Sequence, residues 1–476
     1  MSAGSMAKSV FIHTFGCQMN ESDSARMRES LATAEAGGWI ATEAPETADL
    51  ILLNTCAIRE KAEQKLFSAL GRYREQKEAR GTLIGVAGCV AQQEKGKILE
   101  RAPYVDFVLG PDNLSALPEI VATLQGQLKW ERTPVVQTAW MDSSTYVFPR
   151  ATAEASRGKV TAFVTAMKGC DNVCSFCVVP HTRGRELSRA YAEIVAEVVA
   201  LVAVGVREVT LIGQNVNSFS GGCSFPDLLR RVAAVPGLWR LRFTTSHPHD
   251  FSPALRDCYA AAPLGEPLLM PHLHLPVQCG ADTVLARMRR DYTVAGYEAQ
   301  IADFRRVAPG ATLTSDMIVG FPGESDADFE GTLALVQRVQ FDNLFSFAYS
   351  SRPRTTARLK ENTWGVVPDA VKSERLERLQ VAQRDIATAR MAALVGTVVE
   401  VLVEGASRFD ATRATGHTRG NQTVNFSGSA APGALVEIAI EGSTPSSLSG
   451  REVALLRPAF GSGQRATRLP VLLAEG

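Results

Sequence analysis

Long apolar runs and an excess of charge are both missing from this chain of 476 residues. The longest apolar run, Val198 to Val206, is about half of the roughly 20 residues that a membrane-spanning helix needs. Residues 1–15 contain one lysine and no apolar block, so neither export nor membrane insertion is predicted. The 50 basic residues balance 50 acidic residues, so a nucleic acid would have to be bound by local patches. We expect a cytoplasmic protein with no membrane partner.

Cysteine is also scarce, and with nine cysteines and no export segment we expect reduced thiols. Three of them, Cys170, Cys174 and Cys177, lie in one short run. Thiolates at this spacing can hold one iron–sulfur cube but supply only three of its four ligands, which leaves one iron open for a substrate. A structural zinc site would need a second cysteine pair or histidines at set spacing, and neither follows. A ferredoxin-type site would need a fourth cysteine nearby, whereas Cys177 leads into Val178-Val179-Pro180.

The first part of the sequence alternates strand-like and helix-like segments, a pattern typical of a parallel α/β sheet. The predicted segments are strands at Ser9–Thr14, Leu50–Asn54 and Thr82–Ala87 and helices at Glu21–Ala36 and Glu60–Glu78. A cysteine follows each strand: Cys17, Cys56 and Cys89. A single core cysteine is usually a packing residue, but ligand sites form at the carboxyl ends of parallel strands. Three cysteines at equivalent ends therefore predict a second cluster site with three protein ligands.

Beyond a polar linker, six strand-like segments alternate with helical ones. They are Ala162–Ala166, Glu208–Ile212, Leu241–Thr245, His272–Pro276, Thr312–Val319 and Leu344–Tyr349. Six βα units predict an open, partial α/β barrel with its chemistry at the carboxyl ends of the strands, and the Cys170 loop follows the first strand. Five histidines have no carboxylate at useful spacing, and we interpret them as structural or substrate-facing: His181, His247, His249, His272 and His274.

An amphipathic helix, Pro368 to Arg390, leads into short apolar runs separated by glycine turns. These runs, between Met391 and Leu456, predict a small antiparallel β-barrel, a fold that often binds nucleic acid but that is also a plain packing module. Arg413 and Arg419 flank a polar turn suited to phosphate, which favours RNA binding.

The motifs together resemble the radical-SAM methylthiotransferases, where SAM is S-adenosylmethionine. The likeness rests on four segments: Thr14–Asn20, Cys170–Pro180, Arg183-Gly184 and Thr418–Asn421. It implies an α/β protein with an amino-terminal parallel α/β sandwich, a central partial (β/α)6 barrel and a TRAM-like RNA-binding barrel. The implied boundaries are residues 8–125 for the first domain, 126–155 for a linker, 156–388 for the radical-SAM core, 391–456 for the TRAM-like domain and 457–476 for a tail.

The resemblance also implies cofactors and a reaction. Two 4Fe-4S clusters are implied, with Cys170, Cys174 and Cys177 holding one and Cys17, Cys56 and Cys89 the other. The implied SAM contacts are Phe176, Gln214, Asn215, Ser246, Gln278, Asp316, Ile318 and Gly320. Cys223, Cys258 and Cys279 are expected to be bystanders.

The implied reaction adds a methylthio group to carbon 2 of N6-dimethylallyladenosine beside the tRNA anticodon. Implied partners are the anticodon stem-loop, an electron donor such as a flavodoxin or ferredoxin, and a sulfur source, and a monomer is expected. Three alternatives stay open at this point: methylthiotransfer to a ribosomal protein, methylthiotransfer to threonylcarbamoyl-adenosine in tRNA, and a non-catalytic iron–sulfur carrier.

Overall fold

A computed structural model describes residues 8–461, apart from 35–37, 58–59, 129–130, 144–145, 149, 151, 261–268 and 409. Three parts follow one another along the chain, and each has an apolar core of its own. Within the described residues, no helix is both long enough and apolar enough to cross a bilayer.

The amino-terminal part is a six-stranded parallel sheet in the order β2-β1-β3-β4-β5-β6. Its strands are β1 Ser9–Phe15, β2 Ile40–Ala41, β3 Leu50–Thr55, β4 Leu83–Gly88, β5 Phe107–Leu109 and β6 Val135–Gln137. Its helices are α1 Gln18–Ala32, α2 Glu60–Arg80, α3 Cys89–Glu94, α4 Lys97–Arg101 and α5 Leu117–Gly126. Strands β3 and β4 are buried throughout because helices cover both faces of the sheet. Leu66 and Leu70 of α2 pack on one face, and Met27 of α1 packs with Leu117 of α5 on the other.

The central part contains six parallel strands in two sheets, β7-β10-β11 and β12-β13-β14. These strands are β7 Thr161–Thr165, β10 Glu208–Ile212, β11 Arg240–Phe243, β12 His272–His274, β13 Thr312–Val319 and β14 Asn343–Ala348, with the short hairpin β8 Met167–Lys168 and β9 Leu187–Ser188 beside them. The helices are α6 Ala153–Ser156, α7 Val179–Thr182, α8 Tyr191–Ala203, α9 Phe225–Ala233, α10 Pro253–Asp257, α11 Asp282–Arg287, α12 Val294–Val307, α13 Asp326–Val339, α14 Thr356–Trp364 and α15 Asp369–Ala392. The two edge strands, β7 and β14, leave one side of the barrel open, and α1 of the first part contacts β7 at that side. The expected partial barrel is confirmed.

The carboxyl-terminal part is a closed five-stranded barrel in the order β15-β16-β17-β19-β18. Its strands are β15 Val398–Ala406, β16 Ala414–Thr418, β17 Thr423–Ser427, β18 Leu435–Ser443 and β19 Leu448–Arg457. The barrel closes through one parallel pair, β17 with β19, while its other pairs are antiparallel. An antiparallel barrel was expected. The parallel pair arises because β18 follows β17 in sequence but lies on the far side of β19 in the barrel.

Two further expectations need correction. The segment expected to be a linker, residues 126–155, contributes β6, whose backbone pairs with β5 and extends the sheet by one edge strand. The expected tail begins inside β19. The guanidinium carbon of Arg207 lies over the ring of Phe460, 4.8 Å from its centroid, so the start of the tail packs on the central part. Residues 462–476 of that tail lie outside the described residues, as does Ala36 at the end of the predicted first helix.

Candidate active site

Cys17, Cys56 and Cys89 stand at the carboxyl ends of three adjacent strands, β1, β3 and β4. Cys17 caps the amino end of α1, and Cys89 is the first residue of α3. A hydrogen bond with Cys56 lowers the pKa of Cys17 to about 6, against the opposing effect of burial. Cys89 Sγ accepts a hydrogen bond from Arg183 Nε at 3.2 Å. The strand order therefore brings together three thiols that are far apart in sequence.

Two glycines make room for this cysteine group. A Cβ on Gly16 would lie 2.9 Å from Cys56 Cβ and 2.4 Å from Asn20 Oδ1. Gly88 has φ +91°, and a Cβ there would lie 2.4 Å from Asn54 Oδ1. Asn20 and Asn54 are themselves fixed by a buried hydrogen bond of 3.1 Å between their side-chain amides. The strand ends are therefore closely fitted around the three thiols.

The second cysteine group lies on the loop after β7 and β8. Burial raises the pKa of Cys170 to about 11, and burial together with Cys174 raises that of Cys177 to about 12. Cys174 Sγ accepts a hydrogen bond from Arg290 Nη1 at 3.4 Å, and Cys177 Sγ accepts one from the backbone N–H of Val179 at 3.4 Å. Buried thiols of this kind ionise when a bound metal compensates their charge.

The geometry of both groups bears on which metal they suit. In the part of the chain that the structure describes, no three His, Cys, Asp or Glu side chains lie close enough together to hold a single metal ion. A multi-iron cube takes each thiolate at a different iron, so its ligands do not share one coordination sphere. Three thiolates in each group match three of the four irons of a cube.

Both cysteine groups lie on elements that are next to the contact between the first two parts. Helix α7, which begins two residues after Cys177, contacts α3, whose first residue is Cys89. Arg183 follows α7 and donates from Nη2 to Asp23 Oδ2 at 2.6 Å as well as to Cys89. The segment that follows Cys177 is therefore bonded to the amino-terminal cysteine group through one buried guanidinium.

Gln214 and Asn215 have unpaired polar atoms beside the Cys170 loop. The backbone N–H of Gly169 donates to Gln214 Oε1, while Gln214 Nε2 is buried without a partner. Asn215 Nδ2 donates to Asp250 Oδ2 at 2.8 Å, and Asn215 Oδ1 is buried without a partner. Buried polar atoms are normally hydrogen-bonded, so an unpaired donor and acceptor here fit a polar ligand such as the amino acid end of SAM.

The other predicted SAM contacts are distributed over several environments. Ser246 Oγ donates to the carbonyl of His274 at 2.5 Å. Phe176 and Ile318 pack against the same apolar cluster. Gln278 has φ +74° and pairs in backbone with β13. Gly320 donates its N–H to Glu324 Oε2 at 2.5 Å, and a Cβ there would collide with Lys372.

One cavity of about 790 Å³ takes residues from all three parts of the chain. Cys17 and Cys56 line it from the first part, Asp316 and Phe345 from the central barrel, and Asn421 from the third part. Asp316 is the one predicted SAM contact that lines it. The side chain of Phe345 is 42% exposed, which leaves part of an aromatic ring open in the cavity.

A histidine thought to lack a carboxylate partner has one in this cavity. His274 Nε2 lies 3.7 Å from Asp316 Oδ1, and its Nδ1 lies 2.9 Å from Thr314 Oγ1. The two side chains stand on neighbouring strands, β12 and β13. Sequence spacing could not reveal the pair, because the register of the two strands creates it.

The polar turn with Arg419 is docked on the central barrel. Arg242 donates to the carbonyls of Thr418 and Arg419 at 3.0 and 2.9 Å, and Thr312 Oγ1 donates to that of Gly420 at 2.6 Å. Thr312 is the first residue of β13, so the turn docks toward the amino end of that strand, on the rim opposite the Cys170 loop. Arg419 is half-buried, and Arg413 Nη2 donates to the carbonyl of Gly450 at 3.5 Å.

The three expected bystander cysteines lie apart from both groups. Cys258 and Cys279 are buried in apolar clusters, and Cys223 is half-buried against one of them. Burial raises the pKa of Cys279 to about 12.

Two buried arginines are the main contributors that sequence reasoning missed. Arg183 was noted only within a motif, and Arg290 stands in a run of charged residues with no recognisable pattern.

Three family models match successive parts of the chain. Residues 9–110 match the uncharacterized protein family UPF0004, residues 164–336 the radical SAM superfamily and residues 392–453 the TRAM domain. Two similar curated proteins match almost from end to end. One from Myxococcus xanthus is 56% identical over 98% of each chain, and one from an Anaeromyxobacter species is 60% identical over 93% of this chain and 95% of its own. Both are named tRNA-2-methylthio-N(6)-dimethylallyladenosine synthase.

This chain belongs to the tRNA-2-methylthio-N(6)-dimethylallyladenosine synthase family. A solved structure of the radical SAM methyltransferase TsrM from Kitasatospora setae shares the fold of this synthase-family chain, with a TM-score of 0.53 and 14% identity. The alignment covers 75% of this chain and 78% of that one.

Proposed function

We propose that this chain is a radical-SAM transferase that adds a methylthio group to carbon 2 of N6-dimethylallyladenosine next to the anticodon of tRNA. The observation that carries the proposal is a cavity to which all three parts contribute and which Cys17 and Cys56 line, with the segment that follows Cys177 bonded to Cys89 through Arg183. A carrier that only stores or passes on iron and sulfur has no need of a ligand cavity of this size. Membership of the synthase family supports the tRNA substrate over a ribosomal protein or threonylcarbamoyl-adenosine.

The proposed cofactors are two 4Fe-4S clusters and SAM. Cys170, Cys174 and Cys177 would hold one cluster, and the amino-terminal cysteine group would hold the other. When bound, SAM and the clusters supply hydrogen-abstracting radical chemistry and the sulfur that is transferred. Gln214 and Asn215 would bind SAM through their unpaired atoms, with Asp316 facing the cavity.

The chain's own residues would position the substrate and exclude water. An adenosine in a single-stranded loop can be turned out and inserted into a pocket at low cost. Phe345 offers a partly open ring for stacking, and His274 contacts that ring edge-on with the centroids 5.8 Å apart. Helix α1 contacts β7 at the open side of the barrel, contributes Gln18 and Glu21 to the wall of the cavity, and would help to exclude water there.

We further propose how the parts divide the work. Residues 8–125 would hold the second cluster, residues 156–388 the radical-SAM chemistry, and residues 391–456 the anticodon stem-loop. Arg413 and Arg419 are the proposed phosphate contacts. An electron donor of the flavodoxin or ferredoxin class and a separate sulfur source would serve a cytoplasmic monomer.

Replacing Phe345 with alanine is expected to raise KM for tRNA more than it lowers kcat. Stacking of one base on an aromatic ring contributes about 1–3 kcal/mol, which corresponds to roughly 5- to 150-fold in KM. The measurement is steady-state kinetics with a prenylated anticodon stem-loop. Leu359→Ala, which removes an exposed apolar side chain from α14 outside the cavity, is the control and should leave KM unchanged. An unchanged KM in F345A would show that the base stacks elsewhere.

Replacing Arg419 with alanine is expected to weaken tRNA binding and to flatten its salt dependence. Loss of one phosphate contact lowers the slope of log K against log salt by about 1. The measurement is a set of binding isotherms at several salt concentrations, with Arg338→Ala as control because Arg338 pairs with Glu298 on the outside of the barrel. An unchanged slope in R419A would remove this turn from the RNA interface.

The experiment that tests the proposed function combines gene deletion with mass spectrometry of tRNA nucleosides. The deletion strain should accumulate N6-dimethylallyladenosine without its methylthio derivative, and the wild-type gene should restore the product. Loss of the modification from a ribosomal protein or from threonylcarbamoyl-adenosine would contradict the proposal. Absence of 5'-deoxyadenosine after incubating the reduced, reconstituted protein with SAM would support a carrier instead.

A further inference from the structure

Each cysteine group receives one hydrogen bond from a buried arginine. Arg183 Nε lies 3.2 Å from Cys89 Sγ, and Arg290 Nη1 lies 3.4 Å from Cys174 Sγ. Both arginines are less than 8% exposed. Hydrogen bonds and nearby charge are two of the quantities by which a protein sets the reduction potential of an iron–sulfur cluster. The two cysteine groups therefore share this feature, and they differ in the charges that surround the arginine.

The charge of Arg183 is paired with a carboxylate, although after the hydrogen bond with Cys56 it still contributes to the lowered pKa of Cys17. Its Nη2 lies 2.6 Å from Asp23 Oδ2, and both side chains are buried. A second ion pair joins Lys168 to Asp112 at 2.6 Å and lies near Arg183. Burial lowers the pKa of Lys168, and the charge of Arg183 lowers it further. Asp23 thus balances Arg183 beside the amino-terminal cysteines, and the paired Lys168 and Asp112 add no net charge.

The charge of Arg290 has no such partner. Its Nε donates to Tyr292 Oη at 2.8 Å and its Nη2 to the carbonyl of Pro276 at 2.9 Å, both neutral acceptors. Within the described ranges of the chain, no carboxylate lies within 4.0 Å of this guanidinium. Its field reaches nearby groups: burial, followed by Arg290, lowers the pKa of His247 to about 3. A buried positive charge acts strongly because little water screens it. Glu186, which adds to burial in raising the pKa of Cys170, is only half-buried, so its charge is screened more.

We propose that the pairing of Arg183 with Asp23 and the lack of a carboxylate beside Arg290 give the two clusters different reduction potentials, the barrel cluster having the higher one. This inference rests on the proposed function, because it requires both cysteine groups to hold clusters. A positive charge favours the reduced form, which carries one more negative charge. Reduction here is the transfer of one electron from a donor of the flavodoxin or ferredoxin class, which is oxidised by one electron, and no bond is made or broken. The donor then reduces the barrel cluster first and leaves the sulfur-bearing cluster oxidised.

The test is a redox titration of the full chain with both clusters reconstituted, followed by electron paramagnetic resonance. Variants in which either cysteine group is replaced by alanine assign each signal to its cluster. Asp23→Asn keeps the size of the side chain and removes the carboxylate charge that is paired with Arg183. At a fixed potential it should raise the ratio of reduced to oxidised amino-terminal cluster about tenfold, which is about 59 mV for a one-electron couple. The barrel signal should not move.

Arg290 supplies the reciprocal variants. Arg290→Gln should lower the midpoint potential of the barrel cluster, while Arg290→Lys, which keeps the charge, should restore most of it. The matched control is Asp106→Asn, which frees Lys77 from a 2.5 Å ion pair at the amino end of the same sheet and should move neither potential. Equal shifts of both clusters in D23N, or no shift in R290Q, would overturn the inference.

Iron content separates this inference from the proposed function. Wild-type protein with about eight iron atoms per chain and SAM cleavage, but with coincident midpoint potentials, would refute the potential difference alone. About four iron atoms per chain would refute the two-cluster proposal and the inference with it.

Discussion

Replacing Cys170, Cys174 and Cys177 together with alanine is expected to abolish SAM cleavage and to halve the iron content. The variant should keep about four of about eight iron atoms per chain, because the amino-terminal cysteines are held by a different sheet. No residual cleavage is expected, since the unpaired atoms of Gln214 and Asn215 could still bind SAM but nothing beside them could pass an electron to it. The measurements are iron analysis after anaerobic reconstitution and 5'-deoxyadenosine release under reduction.

The reciprocal variant, with alanine at Cys17, Cys56 and Cys89, should also keep half of the iron but should form no methylthio product. Its control is Cys223→Ala, which removes a half-buried cysteine outside both groups and should keep all of the iron. If the variant without Cys170, Cys174 and Cys177 lost all of its iron, the two sites would depend on each other for assembly. If it lost none, the cysteines on that loop would not be cluster ligands.

Much of the fold follows from local pattern. Strands such as Glu208–Ile212 and Thr312–Val319 have the predicted bounds because runs of β-branched and apolar residues specify buried parallel strands over their whole length. The three amino-terminal cysteines were predictable as a group for a related reason, since parallel strands place their carboxyl ends at one edge. Strand β6 was not predictable, because Val135–Gln137 is short, partly exposed and defined by its pairing with Phe107–Leu109.

The electrostatic framework of the site could not be predicted from local pattern. Asp23 and Arg183 are 160 residues apart, and Lys168 and Asp112 are 56 apart. Each of these residues has the sequence context of an ordinary surface charge on a helix or loop. Burial and pairing come from the docking of the first part on the second, which no periodicity describes. The same holds for His274 with Asp316, which strand register brings together.

The docking of the carboxyl-terminal turn is a fourth contact of this kind, and it centres on Arg242. Replacing Arg242 with methionine is expected to destabilise the contact between the central and carboxyl-terminal parts by roughly 3–5 kcal/mol. Arg242 Nε pairs with Glu208 Oε1 at 2.9 Å, and its other nitrogens hold two carbonyls of the turn. Burial acts to raise the pKa of Glu208, and Arg242 contributes most to lowering it. R242M therefore leaves a buried carboxylate whose negative charge is poorly balanced. Arg240, at 3.7 Å from Glu208 Oε2, compensates only part of that charge.

Hydrogen exchange read separately for peptides of the two barrels measures this effect, because a chain of several parts does not unfold in one step. Exchange in residues 414–423 should accelerate by two orders of magnitude or more in R242M, roughly what 3–5 kcal/mol implies, while β10 and β13 stay protected. Arg338→Met breaks an exposed ion pair with Glu298 and should change the free energy of exchange by less than about 1 kcal/mol. Glu208→Gln combined with R242M should recover part of the loss, because it removes the unpaired charge but not the missing hydrogen bonds. A turn that stays protected in R242M would mean that Arg240 and Thr312 are sufficient to hold it.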